Sequence, residues 1–202
     1  MTIYCATGNP GKLREFQLAA PDSPDFNVQP VTVTVPAPEE TGATFEANAI
    51  EKAIAYGKHV GGFLFADDSG LEVDALGGEP GVRSARYAGG HAGAQASDDA
   101  NNALLLARLR GVENRAARFV CVIALVKDGR LVKAFRGAVE GRIIDEPCGR
   151  GGFGYDPLFF CEALGCTFGD ASIEQKMAVS HRARALAAMF GYLREARNSP
   201  SL

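Results

Sequence analysis

Short apolar runs alternate with polar, glycine-bearing segments along this chain of 202 residues. Compact apolar runs bounded by turn residues predict strands, and apolar residues that recur at helical spacing predict helices. The first half of the chain is predicted to contain strand, helix, strand, helix and strand, over residues 3–6, 13–18, 26–35, 44–59 and 63–67. The second half is predicted to contain a loop rich in Gly and Ala, a helix capped by Ser97, a pair of strands and an amphipathic helix, over 88–96, 98–109, 119–139 and 181–193.

The clearest local prediction is a β-hairpin. Two apolar stretches, 119–126 and 131–139, flank Asp128-Gly129, and this dipeptide favours a tight turn between strands. Strands separated by helices, together with this hairpin, indicate an α/β protein with a mixed, twisted sheet and helices on its faces. No internal repeat or low-complexity tail divides the chain, so we expect a single domain over residues 1–202.

Two adjacent carboxylates follow the apolar run 63–65, in the segment Ala-Asp-Asp-Ser-Gly-Leu at 66–71. We expect the strand to end at these carboxylates and the backbone to turn sharply at Gly70. Successive strand side chains point to opposite faces, so one of Asp67 and Asp68 would enter a site while the other serves the scaffold. Carboxylates at a strand end suggest Mg²⁺. The alternative is an Asx-rich turn that caps a helix or closes a hairpin.

A glycine loop, Thr-Gly-Asn-Pro-Gly-Lys at 7–12, joins the first strand to the first helix. Backbone N–H groups and the positive helix end would meet there, and Lys12 adds a full charge, so the junction suits a phosphate. It is not a P-loop, because Gly8 and Gly11 are too close together and Leu13 stands where a hydroxyl residue is needed. An ordinary strand-to-helix turn with a solvated lysine is the alternative.

The helix that follows Thr44 carries a lysine on an apolar stripe. Phe45, Ala49, Lys52 and Tyr56 share one side of this helix, and Thr44 is a plausible N-cap. Lys52 either reaches out to water or faces a buried anion. Glu40, which precedes this helix, could approach a metal beside Asp68, or it could act only on the helix dipole.

Four glycines surround two aromatic residues between Gly149 and Pro157. Glycines let backbone approach a flat ligand closely and an aromatic ring can stack on it, so we interpret this loop as a purine pocket in which Asp156 accepts hydrogen bonds. Near the end of the chain, Ser180 would cap a helix that opens with His181 and Arg182. Cations in a first helical turn are unfavourable unless an anion is bound, and a solvated helix start is the alternative.

Taken together, these segments resemble the inosine triphosphate pyrophosphatase family over essentially the whole chain. The matching motifs are T-G-N-x-G-K at 7–12, E-E-T-G-x-T-F-x-x-N-A at 39–49, A-D-D-S-G-L at 66–71, P-G-x-x-S-A-R-Y at 80–87, G-G-F-G-Y-D-P at 151–157 and S-H-R at 180–182. The resemblance implies two lobes around a central active-site cleft and a homodimer. It also implies hydrolysis of ITP, dITP and XTP to the nucleoside monophosphate and pyrophosphate.

The resemblance also implies a role for each motif residue. Asp68 would be the catalytic base, and Glu40 and Asp68 would hold Mg²⁺. The substrate-binding residues would be Thr7, Gly8, Asn9, Pro10, Gly11, Lys12, Lys52, Ser69, Phe153, Gly154, Tyr155, Asp156, Lys176, His181 and Arg182. Among these, the lysines would compensate the triphosphate charge, and Phe153 to Asp156 with His181 and Arg182 would enclose the base.

Composition narrows the alternatives. A formal charge of −3 argues against a general nucleic-acid surface, and no apolar stretch is long enough for a membrane helix. Since the start of the sequence also lacks a basic region followed by an apolar segment, we expect a cytoplasmic protein. Five cysteines without a C-x-x-C pair, and only three histidines, indicate reduced thiols rather than structural zinc. Two other functions remain open: a nucleotide-binding regulator without turnover, and a repair module that captures a flipped deaminated base.

Overall fold

The computed structural model describes residues 1–20, 25–36, 38, 40–89 and 96–198. The strands are β1 Thr2–Ala6, β2 Asn27–Pro30, β3 Phe63–Val73, β4 Ala116–Lys127, β5 Arg130–Ile143, β6 Phe159–Cys161 and β7 Cys166–Thr167. The helices are α1 Pro10–Ala19, α2 Phe45–Gly57, α3 Asp98–Arg108, α4 Ile173–Val179 and α5 His181–Asn198. Two short 3₁₀ segments span Asp74–Leu76 and Gly81–Arg86.

The described strands form one seven-stranded sheet in the order β2-β1-β3-β4-β5-β6-β7. Strand β1 runs parallel to both β2 and β3, whereas β6 is antiparallel to β5 and β7. The predicted mixed sheet with flanking helices is therefore confirmed. The predicted hairpin is also confirmed, because β4 and β5 are neighbours joined at Asp128 and Gly129, which both have positive φ.

The chain divides into two compact units. Unit 1 comprises Met1–Asp68, Cys121–Gly137 and His181–Leu202, and unit 2 comprises Ser69–Val120 and Ala138–Ser180. Each unit has a hydrophobic core of its own.

Paired aromatic rings mark the core of unit 1. Phe16 of α1 meets Phe65 of β3 edge to face at 5.1 Å, and Phe26 stacks on Phe190 of α5 at 4.6 Å. The apolar residues predicted along the last helix, Ala185, Leu186, Met189, Phe190 and Leu193, are all buried in this core. The apolar stripe of α5 thus covers unit 1, as its spacing predicts.

In unit 2, three phenylalanines form the centre of the core. Phe119 of β4 lies 4.6 Å from Phe159 of β6 and stacks on Phe168 at 5.9 Å, measured between ring centroids. Phe159 and Phe168 are also 5.1 Å apart. Leu158, which directly precedes β6 and is fully buried, belongs to the same core as these rings.

The prediction that the strand ends at the two aspartates is wrong. Strand β3 continues through Asp67, Asp68 and Gly70 to Val73, so the carboxylates lie in mid-strand. Gly70 does not turn the chain. A β-carbon at this position would clash with Ser84 Oγ and lie 2.6 Å from the Gly81 carbonyl oxygen, so glycine is needed for close approach of another segment.

Other boundaries differ for local reasons. Strand β2 ends at Pro30 rather than at residue 35, because its partner β1 ends at Ala6, one residue after the last pair, Cys5 with Pro30. Helix α1 begins at Pro10, three residues before its predicted start, since proline suits the first helical position.

Helix α4 is not among the predicted elements. Its seven residues are too few to show a period, but Ser172 and Gln175 form a capping box that signals a helix start.

Some sequence predictions fall outside the described residues, namely Glu39 of the second motif and most of the loop over 88–96. All five cysteines are free: Cys5, Cys121 and Cys161 are buried, Cys166 is half-buried and Cys148 is exposed. Among the described helices, none combines the length and the hydropathy that crossing a bilayer would require.

Candidate active site

Five charged residues of unit 1 that the sequence singled out form a cluster around β3, here called the carboxylate–lysine cluster: Lys12, Glu40, Lys52, Asp67 and Asp68. Lys12 Nζ donates to Asp67 Oδ2 over 2.9 Å. Lys52 Nζ donates to the backbone carbonyl of Asp67 over 2.9 Å and forms an ion pair with Glu40. Side chains from α1, from α2 and from the segment before α2 therefore converge on one stretch of β3.

The loop before α1 directs Lys12 into this cluster. Asn9 is the N-cap, and its Oδ1 accepts from the Lys12 backbone N–H over 3.1 Å. Thr7 Oγ1 in turn accepts from the Asn9 N–H over 3.2 Å. Pro10 and Gly11 belong to the first helical turn, while Gly8 lies exposed in the loop. The motif is thus a capped helix start whose lysine reaches back to β3.

Helix α2 supplies the second side of the cluster. Thr44 caps it, as predicted, by accepting from the Ala47 N–H over 3.1 Å. Asn48 is buried and uses both ends of its amide, accepting from the Gly42 N–H over 2.7 Å and donating to Asp68 Oδ2 over 2.9 Å. Asn48 is a position of the motif at 39–49, but the sequence analysis assigned it no role, although it lies one turn before Lys52.

The two adjacent aspartates have opposite electrostatic environments. Both are buried. Burial opposes the charge of Asp67, but the positive charges of Lys12 and Lys52 outweigh it, so the Asp67 pKa is lowered. At Asp68 the burial prevails over its neighbouring donors, and the pKa is raised. Two carboxylates whose pKa values are driven apart are suited to different tasks, one as a fixed charge and one as a proton acceptor.

Lys52 faces anions, one of the two alternatives left open by the sequence. Burial disfavours its charge, but Asp67 and Glu40 outweigh burial and raise the Lys52 pKa. The ammonium is therefore held charged beside β3.

At the start of α5, His181 and Arg182 are both buried. The Arg182 guanidinium donates to Glu15 Oε2 over 2.7 Å, so a carboxylate of α1 supplies an anion for this first turn. Burial acts against the Arg182 charge, yet Glu15 and Asp67 raise its pKa. The sequence analysis assigned no role to Glu15. Its burial could not be inferred from the apolar periodicity of α1, because a charged residue does not belong to that pattern.

In unit 2, the loop over residues 149–157 is organised around Asp156. Its Oδ2 accepts from the Phe153 backbone N–H over 2.9 Å and from Lys176 Nζ over 2.5 Å. Gly152 has φ of 72°, and a β-carbon there would clash with the Asp156 carboxylate, so only glycine fits. Asp156 accepts hydrogen bonds, as expected, and the donors in this structure belong to the protein.

Lys176 is buried among aromatic rings in unit 2. Its ammonium lies 5.2 Å from the centre of the Phe153 ring and 5.3 Å from that of Phe168, in addition to its pair with Asp156. Cation–π contact and an ion pair together make a buried lysine tolerable. Its predicted role beside a triphosphate stays a prediction.

Tyr155 and Phe153 differ in exposure. The Tyr155 ring is buried, and its hydroxyl donates to the Ser84 carbonyl oxygen over 2.9 Å, whereas Phe153 is half-buried. Tyr155 therefore anchors the loop, and Phe153 is the ring of the two with surface left to offer a ligand. Ser69, half-buried in β3, is the first residue of unit 2 and directly follows Asp68.

The donor set fits the predicted metal. Among the described residues, no group of three or more His, Cys, Asp or Glu side chains could hold an ion by itself. Mg²⁺ commonly uses only one or two carboxylates and takes its other ligands from water and phosphate. Glu40 and Asp68 would provide two hard oxygen donors of this kind, and Asn48 donates a hydrogen bond to Asp68.

The sequence of this chain was compared with protein-family models and with curated proteins. The model of the Ham1 family matches residues 3–192, and the chain belongs to this family. It is similar to the dITP/XTP pyrophosphatase of Acidobacterium capsulatum, with 45% identity covering 96% of this chain and 98% of that one. It is likewise similar to the dITP/XTP pyrophosphatase of Geobacter sulfurreducens, with 48% identity covering 95% and 96%.

Solved structures agree with this assignment. The Ham1 protein of Staphylococcus aureus superposes with a TM-score of 0.81 at 41% identity, covering 97% of this chain and all of that one. A HAM1 protein from Coxiella burnetii gives a TM-score of 0.83 at 39% identity, covering 96% and 99%. The sheet and its flanking helices are therefore those of Ham1 proteins.

Proposed function

We propose that this protein hydrolyses ITP, dITP and XTP to the nucleoside monophosphate and pyrophosphate, and so removes deaminated purines from the nucleotide pool. The relatives named dITP/XTP pyrophosphatase support the substrate class. The observation that carries the chemistry is the pair Asp67 and Asp68, adjacent carboxylates with opposite pKa shifts beside two lysines. A nucleotide-binding regulator would have no need of a proton acceptor there.

The carboxylate–lysine cluster is suited to a triphosphate. Lys12 and Lys52 bring two ammonium groups to β3, and the start of α1 adds backbone N–H groups and the positive end of the helix. When phosphate oxygens approach, each lysine can exchange a protein carboxylate for a phosphate. Thr7, Asn9 and Ser69 would orient the phosphates by hydrogen bonds.

Asp68 would act as the general base. Its raised pKa brings proton affinity closer to the operating pH, which increases its power to take a proton from the attacking water. Asn48 holds Oδ2 in place, so the carboxylate needs little reorganisation. Glu40 and Asp68 would hold Mg²⁺, which when bound neutralises phosphate charge. Asp67 would stay ionised and hold Lys12 in place until a phosphate binds.

The loop over 149–157 would bind the base. Phe153 offers a half-buried ring for stacking, while Gly154 and Asp156 provide polar backbone and side-chain groups next to it. Tyr155 and Lys176 support that ring from within unit 2. His181 and Arg182 keep the base-binding role that the resemblance assigns to them. Donors set for a 6-oxo group would reject the 6-amino group of ATP, because donor would face donor.

Two further features belong to the proposal. A homodimer follows from the family resemblance and is tested by sedimentation of the purified chain. Action in the cytoplasm is supported by five free cysteines, since reduced thiols persist in that compartment.

The deciding experiment is product analysis. ITP, ATP and GTP are incubated with the protein and Mg²⁺, and the products are separated by ion-exchange chromatography. We expect IMP and pyrophosphate, with catalytic efficiency for ITP roughly 10² or more above that for ATP. Orthophosphate with IDP would refute the bond assignment. Tight ITP binding without any product would favour a regulator, and equal efficiencies for all purine triphosphates would refute the proposed substrate class.

A further inference from the structure

Side chains of helix α3 form hydrogen bonds with the loop over 149–157 at one residue, Gly154. The Gly154 N–H donates to Asp98 Oδ2 over 2.6 Å, and the Gly154 carbonyl oxygen accepts from Asn102 Nδ2 over 3.1 Å. Asp98 and Asn102 lie one turn apart and therefore on the same face of the helix. Both polar backbone groups of Gly154 are thus held by side chains of α3.

Gly154 needs such external support. It has φ of 63°, and glycine has more accessible backbone conformations than any other residue. A β-carbon added to its backbone would meet no atom within 4 Å, so packing around that position does not restrain it. The two hydrogen bonds from α3, together with the one that the Phe153 carbonyl oxygen accepts from the Asp156 N–H over 3.3 Å, therefore hold the peptide groups on either side of Gly154.

The residue oriented in this way is Phe153. Its own N–H is held by Asp156 Oδ2, and its carbonyl group is part of the peptide that ends in the Gly154 N–H. Phe153 therefore lies between two anchors, the Asp156 carboxylate on one side and the α3 side chains on the other. Its half-buried ring follows the orientation of these two peptide groups.

We propose that Asp98 and Asn102 are positioning residues that set the Phe153 ring for stacking on the purine. This proposal rests on the proposed function. Stacking on the base is present both in the bound substrate and in the transition state, so its loss weakens binding without slowing the chemical step. A residue that only supported the fold would lower the melting temperature and leave KM unchanged.

The kinetic test uses a matched control on the same helical turn. Asp98→Ala combined with Asn102→Ala should raise KM for ITP about ten- to hundred-fold, with kcat close to that of the unsubstituted protein. Asp99→Ala removes the same charge from the first turn of α3 at an exposed residue, and should leave KM unchanged. Asp98→Asn retains an acceptor oxygen and should restore most of the affinity lost in Asp98→Ala.

A spectroscopic test follows the ring without any turnover. The chain contains no tryptophan, so Phe153→Trp introduces a single reporter. Adding Asp98→Ala and Asn102→Ala should shift its emission to the red and lower its anisotropy, whereas adding Asp99→Ala should not. Unchanged emission, or an unchanged KM for ITP in the double variant, would overturn the proposal. Failure of the unsubstituted protein to release pyrophosphate would count against the proposed function, and the emission arm would still decide whether α3 orients residue 153.

Discussion

The carboxylate–lysine cluster of unit 1 and the 149–157 loop of unit 2 are stabilised by different physical means. In the cluster, charged side chains from α1, α2 and β3 are held by one another, and their positions depend on charge balance. In the loop, backbone groups are held by carboxylate and amide side chains, and their positions depend on glycine geometry. We therefore expect the largest change in rate from a substitution in the cluster, and the largest change in stability from a substitution around the loop.

The largest expected effect is on turnover, from Asp68→Asn. The substitution removes the proposed base and one negative charge, and general-base catalysis is typically worth about 10²- to 10⁴-fold. We expect kcat for ITP to fall by about that factor, measured by pyrophosphate release, with unchanged circular dichroism. Asp67→Asn is the matched control and should cost less. Near-normal activity in folded Asp68→Asn would rule out the assignment, and equal losses in the two variants would remove the distinction between the aspartates.

The loop is tested next, through its buried ion pair. Lys176→Met would leave the Asp156 carboxylate buried without its ammonium partner, which typically costs about 3–5 kcal/mol of unfolding free energy. Urea unfolding measures this loss. Lys58→Met, at an exposed lysine, is the control and should change stability by less than about 0.5 kcal/mol. If the two variants lost the same stability, the pair would not be what holds the loop.

The secondary structure could be predicted from the sequence where it depends on local patterns, and not where it depends on contacts between distant residues. Periodicity located β1, α2, α3, the hairpin and the buried face of α5, because these elements bury one side or follow clear turn signals. The end of β3 was misplaced because Asp67 and Asp68 are polar, whereas burial beside Lys12 and Asn48 allows a strand to carry them. Strand continuation was therefore decided by tertiary partners that no local pattern contains.

Site residues were predictable in the same uneven way. Residues with a motif of their own, such as Lys12, Asp68 and Asp156, were singled out from the sequence. Residues that act through another side chain were assigned no role, as with Asn48 and Glu15, because their partners are distant in sequence. A single sequence therefore indicates the residues that carry out chemistry more readily than the residues that position them.

A smaller effect is expected from Lys52→Ala. The substitution removes an ammonium that faces the Asp67 carbonyl and Glu40, and charge-assisted hydrogen bonds to phosphate contribute about 1.5–3 kcal/mol. We expect kcat/KM for ITP to fall about ten- to hundred-fold, with KM raised and kcat lowered. Steady-state kinetics at several Mg²⁺ concentrations separates the change in KM from the change in kcat. Unchanged kinetics with only a small loss of stability would mean that Lys52 serves the fold alone.

The smallest effect concerns stability and separates the two aspartates by sign. The Asp67 pKa is lowered in the folded protein, so its ionisation stabilises the fold above its unfolded pKa, and this stability is lost as the pH falls through the folded pKa. The Asp68 pKa is raised, so its ionisation opposes folding at neutral pH. This cost decreases as the pH falls below the pKa of Asp68 in the folded protein.

In EDTA at pH 7, Asp67→Asn should therefore lower the unfolding free energy by about 1–3 kcal/mol, while Asp68→Asn should leave it unchanged or raise it. Urea unfolding of both variants, repeated at pH 4, measures the difference. It should shrink as the pH falls, because the raised pKa of Asp68 makes it lose its charge before Asp67, whose pKa is lowered. Loss of stability in both variants at pH 7 would show that the two aspartates share one electrostatic environment. It would contradict the proposal that Asp67 is a fixed charge and Asp68 the proton acceptor.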